Sequence, residues 1–293
     1  MEKLGRLITA MATPFDEKGA VNFKKAEELL EHLIKNGSDG VVVHGTTGES
    51  PTLTHEEEYE LYKTVKRIAA GRISVIAGTG SNSTDTTIKS TKRAQEIGCD
   101  AALLVVPYYN KPSQEGLYRH FRAVADNSDI PLIIYNIPGR TGINMTPETI
   151  AKLSRIKNFI GVKDAAGDVN QTSSIKLLCE DDFIIWSGDD SLTLPMMSVG
   201  GYGVISVVSH IAGKEIKAMI EAFASGNTKK AAEIHIRLMP IFKVLFITSN
   251  PSPLKYALKL IGLDCGSTRL PLVEPSESEK ELISKVMKEL KII

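Results

Sequence analysis

The stretch PLIIYNIPGRTGINMTPETIAKLSRIKNFIGVK, residues 131–163, contains the unit that decides the fold. Its two ends, PLIIYN and FIGVK, are short runs that are apolar on nearly every residue, as expected of parallel strands covered on both faces. Between them, residues 147–155 have the spacing of an amphipathic helix. A strand, a helix and a second strand predict a parallel pair, because the chain needs a helix to return to the same end of the sheet.

The same alternation extends outward along the chain in both directions. The predicted strands are residues 7–10, 40–44, 74–77, 101–107, 131–136, 159–163, 183–187 and 203–209, and the intervening helices include 22–35, 54–70, 84–97, 114–126 and 147–155. Eight such units favour a (β/α)8 TIM barrel, an α/β fold. The alternative is a doubly wound open sheet, which should carry a Gly-x-Gly-x-x-Gly turn after its first strand. Met11-Ala12-Thr13-Pro14 stands there instead.

The alternation stops after about Ala224, where three further helices are predicted over residues 227–248, 251–261 and 276–290. Asn227 is suited to cap the first, while Pro251 and Ser276 stand where helix starts are favoured. We therefore expect a catalytic barrel over residues 1–224 and a small C-terminal three-helix appendage over residues 225–293.

Composition narrows the classes of partner. Among 293 residues, 35 Lys and Arg balance 35 Asp and Glu. Zero net charge favours small molecules over nucleic acid or an acidic membrane. The first fifteen residues lack the features of a secretory signal, and no apolar run approaches the roughly 18 residues of a membrane helix, so we expect a cytoplasmic protein. Cys99, Cys179 and Cys265 form no C-x-x-C pair, which argues against disulfides and a zinc ribbon.

Active sites of such barrels lie at the carboxyl ends of the strands, and Lys163 ends the sixth strand. Side chains alternate along a strand, so Lys163 shares the face of Gly161, opposite Ile160 and Val162. Burying an unpaired ammonium is costly, which favours the neutral amine that attack on a carbonyl requires. The alternative is an ion pair with Asp164 or another carboxylate.

Three other strand ends carry polar groups. The second strand leads into Gly45-Thr46-Thr47-Gly48-Glu49, whose hydroxyl and backbone N–H groups are suited to bind a carboxylate or phosphate. The fifth carries Tyr135 near its end, a candidate proton shuttle or a core aromatic, and Arg140 follows the strand as a carboxylate ligand or a surface ion pair. After the fourth strand, Tyr108-Tyr109 is a pair typical of an interface or a proton relay.

Four motifs together resemble the pyruvate-dependent class I aldolases of the dihydrodipicolinate synthase and N-acetylneuraminate lyase superfamily. They are Gly45-Thr46-Thr47-Gly48-Glu49, Tyr135-Asn136-Ile137-Pro138-Gly139-Arg140, Gly161-Val162-Lys163-Asp164 and Asn250-Pro251-Ser252-Pro253. The resemblance runs from the first strand to about Leu272. Asp164 stands where many relatives carry Glu. Arg140 directly after Pro138-Gly139 resembles the synthase branch, whereas sialic-acid lyases and 2-keto-3-deoxy sugar acid aldolases use other second substrates.

The resemblance implies an activity, condensation of pyruvate with L-aspartate 4-semialdehyde to 4-hydroxy-tetrahydrodipicolinate in lysine and diaminopimelate biosynthesis, without cofactor or metal. It implies that Lys163 forms a Schiff base with pyruvate and that Thr46 and Thr47 bind the pyruvate carboxylate. Tyr135 would relay protons with Thr46 and with Tyr109 of a neighbouring subunit. Arg140 would bind the second substrate, and groups near Gly188 and Ile205 would line the pyruvate pocket. The resemblance also implies a homotetramer, a dimer of dimers.

Lysine-inhibited enzymes of this branch resemble the chain at Ser50, His55, Asn82 and Tyr108, which implies a candidate allosteric lysine site. A glutamate often used to hold the inhibitor is Thr86 here, and a histidine of that site is Glu58. These two departures argue against strong inhibition by lysine.

Two hypotheses from other classes remain. A metal-dependent barrel hydrolase would use His44 and His210, although the sequence has no H-x-H or H-E-x-x-H spacing. A barrel that only binds a keto acid would lack catalysis while keeping the same residues.

Overall fold

The computed structural model describes residues 4–293, so the first three residues of the segment predicted as 1–224 lie outside it. Its strands are Leu7–Ala10 (β1), Gly40–Val43 (β2), Ser74–Gly78 (β3), Ala101–Val105 (β4), Leu132–Asn136 (β5), Phe159–Asp164 (β6), Ile184–Ser187 (β7) and Gly203–Ser206 (β8). They form a closed barrel in the order β1 to β8. The predicted (β/α)8 architecture is therefore confirmed.

Twelve α-helices are present in the described part of the chain. They are Phe23–Lys35 (α1), His55–Ala69 (α2), Thr84–Ile97 (α3), Gln114–Ala125 (α4), Pro138–Thr141 (α5), Pro147–Ser154 (α6), Val169–Leu178 (α7), Thr193–Ser198 (α8), Ser209–Ala224 (α9), Thr228–Val244 (α10), Ser252–Leu260 (α11) and Glu277–Glu289 (α12). None of them is long and apolar enough to cross a membrane.

Most predicted helix bounds differ from the observed ones by a single capping residue. The Asn22 side chain accepts a hydrogen bond from Lys25 N at 3.0 Å, so Asn22 caps α1 and does not belong to it. Thr54 and Ser276 begin α2 and α12 with capping boxes, each made with a glutamate three residues later. These side chains satisfy backbone N–H groups that a helix start leaves without a partner.

Two strand predictions and one helix prediction were too long at the C-terminal end by two residues or more. β4 ends at Val105, before Pro107, which has no N–H to donate. β8 ends at Ser206, whose hydroxyl accepts from Ser209 N at 2.8 Å and so begins the turn into α9. The helix predicted to reach residue 248 ends at Val244.

The chain divides into two compact units. One comprises the residues up to Ser74 together with Ser206–Ile293, and the other is Val75–Ile205. Within the first unit, α10 contacts α9 and α12, and α11 also contacts α12. The C-terminal helices thus pack on one another and on α9, the helix that follows β8. The predicted division at residue 224 stays a prediction.

Candidate active site

Lys163 is the most buried lysine of Val75–Ile205, with 5% of its surface exposed. It lies on β6 directly beside Tyr135 of β5 and Trp186 of β7 in the register of the sheet. Its Nζ lies 4.3 Å from the centroid of the Tyr135 ring. Tyr135 is itself 6% exposed, so the amine and the phenol share one buried position at the end of neighbouring strands.

Two glycines near Lys163 stand where no larger residue fits, and one of them, Gly188, leaves room for the Lys163 side chain. A Cβ at Gly188 would lie 3.2 Å from Lys163 Cε and 2.6 Å from Ala165 Cβ. A Cβ at Gly161 would lie 2.9 Å from the ring atom Cζ3 of Trp186 and 2.3 Å from Ile184 O. Since real Cβ atoms do not come this close, both positions require glycine for steric reasons.

Asp164 is not the partner of Lys163. Its carboxylate is 2% exposed and accepts hydrogen bonds from Asn136 Nδ2 and Gln171 Nε2, both at 3.1 Å. Burial raises the pKa of Asp164, although these donors oppose the shift. Among the described residues, no carboxylate forms an ion pair with Lys163. The alternative of a Lys163–Asp164 ion pair is therefore wrong, because adjacent strand residues face opposite sides of the sheet.

A polar network around Asp164 fixes the chain after β5. Asn136 Nδ2 also bonds Asn144 Oδ1 at 2.7 Å, and Asn144 Nδ2 bonds Gln171 Oε1 at 2.7 Å. Asn136 Oδ1 accepts from Met145 N at 3.0 Å. The network thereby closes the loop that leads from Tyr135 through α5 back to the barrel wall. Asn144 and Gln171 were not among the predicted site residues, since nothing in their spacing indicates contact with Asp164.

Arg140 lies on α5, the short helical turn that follows β5. Its side chain is exposed, and it forms no ion pair within residues 4–293. The surface ion pair considered from the sequence is therefore wrong, and the guanidinium is free to bind an anion.

Tyr109 projects away from its own unit. It is 88% exposed, and its φ angle of 72° lies in the left-handed region, which is unfavourable for an aromatic residue. Tyr108, its neighbour, is 38% exposed. The Asn110 side chain donates to Asn82 O at 2.9 Å and joins this loop to the loop after β3. An exposed aromatic pair of this kind is typical of an interface.

Ile205 and Gly188 are the two residues of Val75–Ile205 that were predicted to lie near the pyruvate pocket. Ile205 lies on β8 with 1% of its surface exposed, and Gly188 follows β7. The Gly188 N–H donates to Asp164 O at 2.8 Å, so this backbone donor is already used.

The other unit holds the turn after β2, with Thr46 half-buried and Thr47 3% exposed. The turn is closed by Glu49 N donating to Thr46 O at 3.0 Å and by Thr13 Oγ1 donating to Gly48 O at 2.7 Å. A Cβ at Gly48 would lie 3.2 Å from Met11 O, which leaves little room for a side chain. The turn is therefore a closed and rigid one.

The C-terminal part of the chain contacts this turn directly. Asn250 Nδ2 donates to Thr47 Oγ1 at 2.9 Å. Lys255 Nζ lies 2.8 Å from Glu49 Oε1, and Arg269 N donates to Glu49 Oε2 at 2.9 Å. Lys255 is only 4% exposed. Asn250 belongs to a motif for which no role was predicted, and Lys255 was not predicted at all, although a lysine on the mostly apolar helix α11 was a usable signal.

Known proteins match this arrangement along the whole chain. The profile of the Dihydrodipicolinate synthetase (DHDPS) family matches residues 3–290. The chain belongs to the DHDPS family. A 4-hydroxy-tetrahydrodipicolinate synthase of Desulforamulus reducens is 54% identical over 290 residues, which cover 99% of this chain and 98% of that protein.

Two solved structures of the DHDPS family are similar in fold as well as in sequence. The DHDPS of Cyanidioschyzon merolae with lysine bound is 49% identical, with a TM-score of 0.97, over 99% of each chain. The dihydrodipicolinate synthase of Bacillus anthracis is 48% identical, with a TM-score of 0.96, over 98% of this chain and 99% of that chain. The predicted family, fold and enzyme class are thus confirmed, whereas the roles of single residues stay predictions.

The two histidines of the metal-hydrolase hypothesis are engaged elsewhere in this DHDPS-family chain. His210 is fully buried, its Nδ1 donates to Val207 O at 2.7 Å, and its Nε2 accepts from Ala12 N at 3.1 Å. Burial lowers the pKa of His210 to about 4. His44 Nδ1 lies 3.6 Å from Glu58 Oε1. Neither ring nitrogen of His210 is therefore available to a metal, and no cluster of three candidate ligands occurs in residues 4–293.

The three cysteines are all free thiols. Cys99 and Cys265 are buried, and burial raises the pKa of Cys265 to about 12. A thiol that stays protonated is a poor nucleophile, so Cys265 is unsuited to nucleophilic chemistry.

Proposed function

We propose that this chain condenses pyruvate with L-aspartate 4-semialdehyde to give 4-hydroxy-tetrahydrodipicolinate, a step of lysine and diaminopimelate biosynthesis. The observation that carries the proposal is the buried amine of Lys163, which lacks a carboxylate partner and lies 4.3 Å from the Tyr135 ring. A primary amine that is held beside a phenol and has no carboxylate partner is placed to add to the carbonyl of a ketone.

The first half of the reaction takes place on pyruvate. The Lys163 amine adds to the keto carbon, and loss of water gives a protonated imine, which acts as an electron sink. A methyl proton is then removed and the enamine forms. We assign the proton transfers to Tyr135, together with Thr46 and with Tyr109 of a neighbouring subunit. Thr46 and Thr47 bind the pyruvate carboxylate, and groups near Gly188 and Ile205 line the pocket.

The second half joins the two substrates. The enamine carbon attacks the aldehyde carbon of the semialdehyde, forming the new C–C bond and regenerating the imine. The substrate amino group then adds to the imine carbon and expels the Lys163 amine, which closes the ring. Arg140 binds the carboxylate of the second substrate, because a guanidinium matches a carboxylate with two parallel hydrogen bonds. No step requires a metal or an organic cofactor.

The exposure of Tyr109 supports the homotetramer implied by the resemblance. An aromatic side chain that is 88% exposed on a left-handed residue gains stability when another subunit covers it. A Tyr109 that serves a neighbouring site makes the assembly a condition of full activity. The predicted cytoplasmic location stays a prediction.

Inhibition by lysine is proposed to be weak. Ser50 and His55 belong to one unit and Asn82 and Tyr108 to the other. His55 Nδ1 already contacts Glu58 Oε2 at 2.8 Å, where Glu58 replaces the histidine of lysine-inhibited relatives. Thr86 lacks the carboxylate that would pair with a lysine amine.

A substrate panel tests the proposed activity. Turnover with pyruvate and aspartate semialdehyde should exceed that with N-acetylneuraminate or 2-keto-3-deoxy sugar acids by orders of magnitude. Preference for a sugar acid would move the chain to the lyase or sugar-acid aldolase branch. Pyruvate binding without turnover of any of these substrates would indicate a keto-acid-binding barrel without catalysis.

A further inference from the structure

We propose that Asn250 is a positioning residue that fixes the direction in which the Thr47 hydroxyl donates its hydrogen bond. This inference rests on the proposed function, in which Thr47 binds the pyruvate carboxylate. Asn250 belongs to the Asn250-Pro251-Ser252-Pro253 motif, for which the reaction itself provides no role.

The hydrogen bond between the Asn250 and Thr47 side chains is short, and both side chains are buried. Asn250 Nδ2 lies 2.9 Å from Thr47 Oγ1, and the two residues are 5% and 3% exposed. They are separated by 203 positions in the sequence. With so little exposure, water is a poor competitor for either group, and the polarity of this single hydrogen bond decides the orientation of the hydroxyl.

The amide group acts as the donor. In this orientation the Asn250 Oδ1 is buried without a hydrogen-bond partner. The reverse orientation would instead bury the NH2 group with no acceptor, and buried orphan N–H groups are rarer than orphan carbonyl oxygens. Thr47 Oγ1 is thus an acceptor toward Asn250, and its one proton must point elsewhere.

This polarity matches the chemistry of a carboxylate. An ionised carboxylate only accepts hydrogen bonds, so a hydroxyl that binds it must donate. If Thr47 donated to its neighbour instead, its lone pairs would face the anion. By accepting from Asn250, Thr47 keeps its proton free for pyruvate.

Contacts of the neighbouring Glu49 side chain hold the turn that carries Thr47 in place. The carboxylate of Glu49, two residues after Thr47, is held by Lys255 Nζ at 2.8 Å and by Arg269 N at 2.9 Å. Lys255 Nζ is further bonded to Ser267 O at 3.0 Å and lies 4.2 Å from the centroid of the Phe15 ring. The turn is thus held at Thr47 by Asn250 and at Glu49 by Lys255 and Arg269. These contacts keep the Thr47 hydroxyl next to Asn250.

The test compares Asn250→Asp with Asn250→Ala. Aspartate has the same shape but accepts the Thr47 proton, so the KM for pyruvate should rise about tenfold to hundredfold, the range expected for losing a hydrogen bond to a charged group. Alanine leaves the hydroxyl free to rotate, so its effect should be smaller. The KM for aspartate semialdehyde should stay unchanged in both variants. A merely structural role predicts the opposite order, with alanine the worse variant, and that order would overturn the proposal.

Asn227→Asp is the matched control for the added charge. Asn227 caps α10 by accepting from Lys230 N at 3.1 Å, a bond that aspartate keeps. Its kinetics should equal those of the wild type. In a Thr47→Ala background, Asn250→Asp should add no further increase in the pyruvate KM, because the hydroxyl that it reorients is gone. A full additional increase there would also contradict the proposal.

A neutron structure of the deuterated wild type with pyruvate gives an answer that does not depend on how the variants fold. The hydroxyl deuterium of Thr47 should point toward the pyruvate carboxylate, and a Thr47 hydroxyl deuterium that points toward the Asn250 side chain would overturn the proposal. Borohydride trapping of pyruvate on the wild type distinguishes failure of the proposed function from failure of the proposed role of Asn250. If trapping fails, the proposed function fails. If it succeeds and the Asp and Ala variants show the reversed order, only the role of Asn250 fails.

Discussion

Lys163 Nζ lies 4.3 Å from the centroid of the Tyr135 ring, and the two residues are direct neighbours in the register of β5 and β6. The strand pairing thus places the proposed nucleophile beside the proposed proton relay without any contribution from a flexible loop. A site built on paired strands is more precise than one built on loops.

Tyr135→Phe should lower kcat by about two to four orders of magnitude, the usual contribution of a positioned acid or base. The ring that packs beside Lys163 is kept, so the melting temperature should change little. Steady-state kinetics and thermal unfolding check both parts. A kcat near the wild-type value would remove Tyr135 from the proton transfers.

Arg140→Leu should raise the KM for aspartate semialdehyde about tenfold to hundredfold, because a charge-assisted hydrogen bond to the substrate is lost. Trapping of pyruvate by borohydride should be unaffected. Arg119→Leu, which removes another exposed guanidinium, one that pairs with Glu115, is the control. An equal loss for both substrates would indicate that Arg140 supports the fold of the site instead of the second substrate.

Tyr109 offers a complementation test of shared sites. Tyr109→Phe and Lys163→Ala should each be impaired as pure oligomers. Co-expressed, they should form mixed oligomers with recovered activity, because intact Lys163 sites then receive Tyr109 from the Lys163→Ala chain. Activity of the mixture equal to the mean of the two pure variants would show that each chain uses its own Tyr109.

Lys255→Met should destabilise the protein by about 3 to 5 kcal/mol, since it leaves the buried Glu49 carboxylate without its cation. Lys259→Met, at a side chain that is 62% exposed, should cost at most about 1 kcal/mol. Denaturant unfolding of both variants provides the comparison. Equal stability of the two would contradict the importance of the buried pair.

The buried carboxyl group of Asp164 should make the free energy of unfolding depend on pH. Burial raises its pKa in the folded state above the ordinary value. The folded protein therefore binds the proton more tightly than the unfolded chain, so this group favours folding below its ordinary pKa and loses that contribution as pH rises through the folded pKa. Relative to the wild type, Asp164→Asn should gain stability as pH rises over this window. A constant difference between the two unfolding free energies at all pH values would contradict the assignment.

The fold was largely predictable, because it depends on local features of the sequence. These are the eight apolar runs that form the strands and the capping residues that begin the helices between them. The placement of Lys163 on the Gly161 face followed from the two-residue period of a strand. Contacts such as Asn250 with Thr47 were not predictable, because they join positions 203 residues apart and depend on tertiary packing. The network of Asn144 and Gln171 around Asp164 was not predictable for the same reason.

The central claim is that one amine, Lys163, captures the keto acid, and peptide mapping tests it most directly. The protein is incubated with pyruvate, reduced with borohydride, digested and analysed by mass spectrometry. The account predicts one reduced pyruvate per chain, attached to the peptide that contains Lys163, and no label on Lys163→Ala. A label on another side chain, or no label on the wild type, would contradict it.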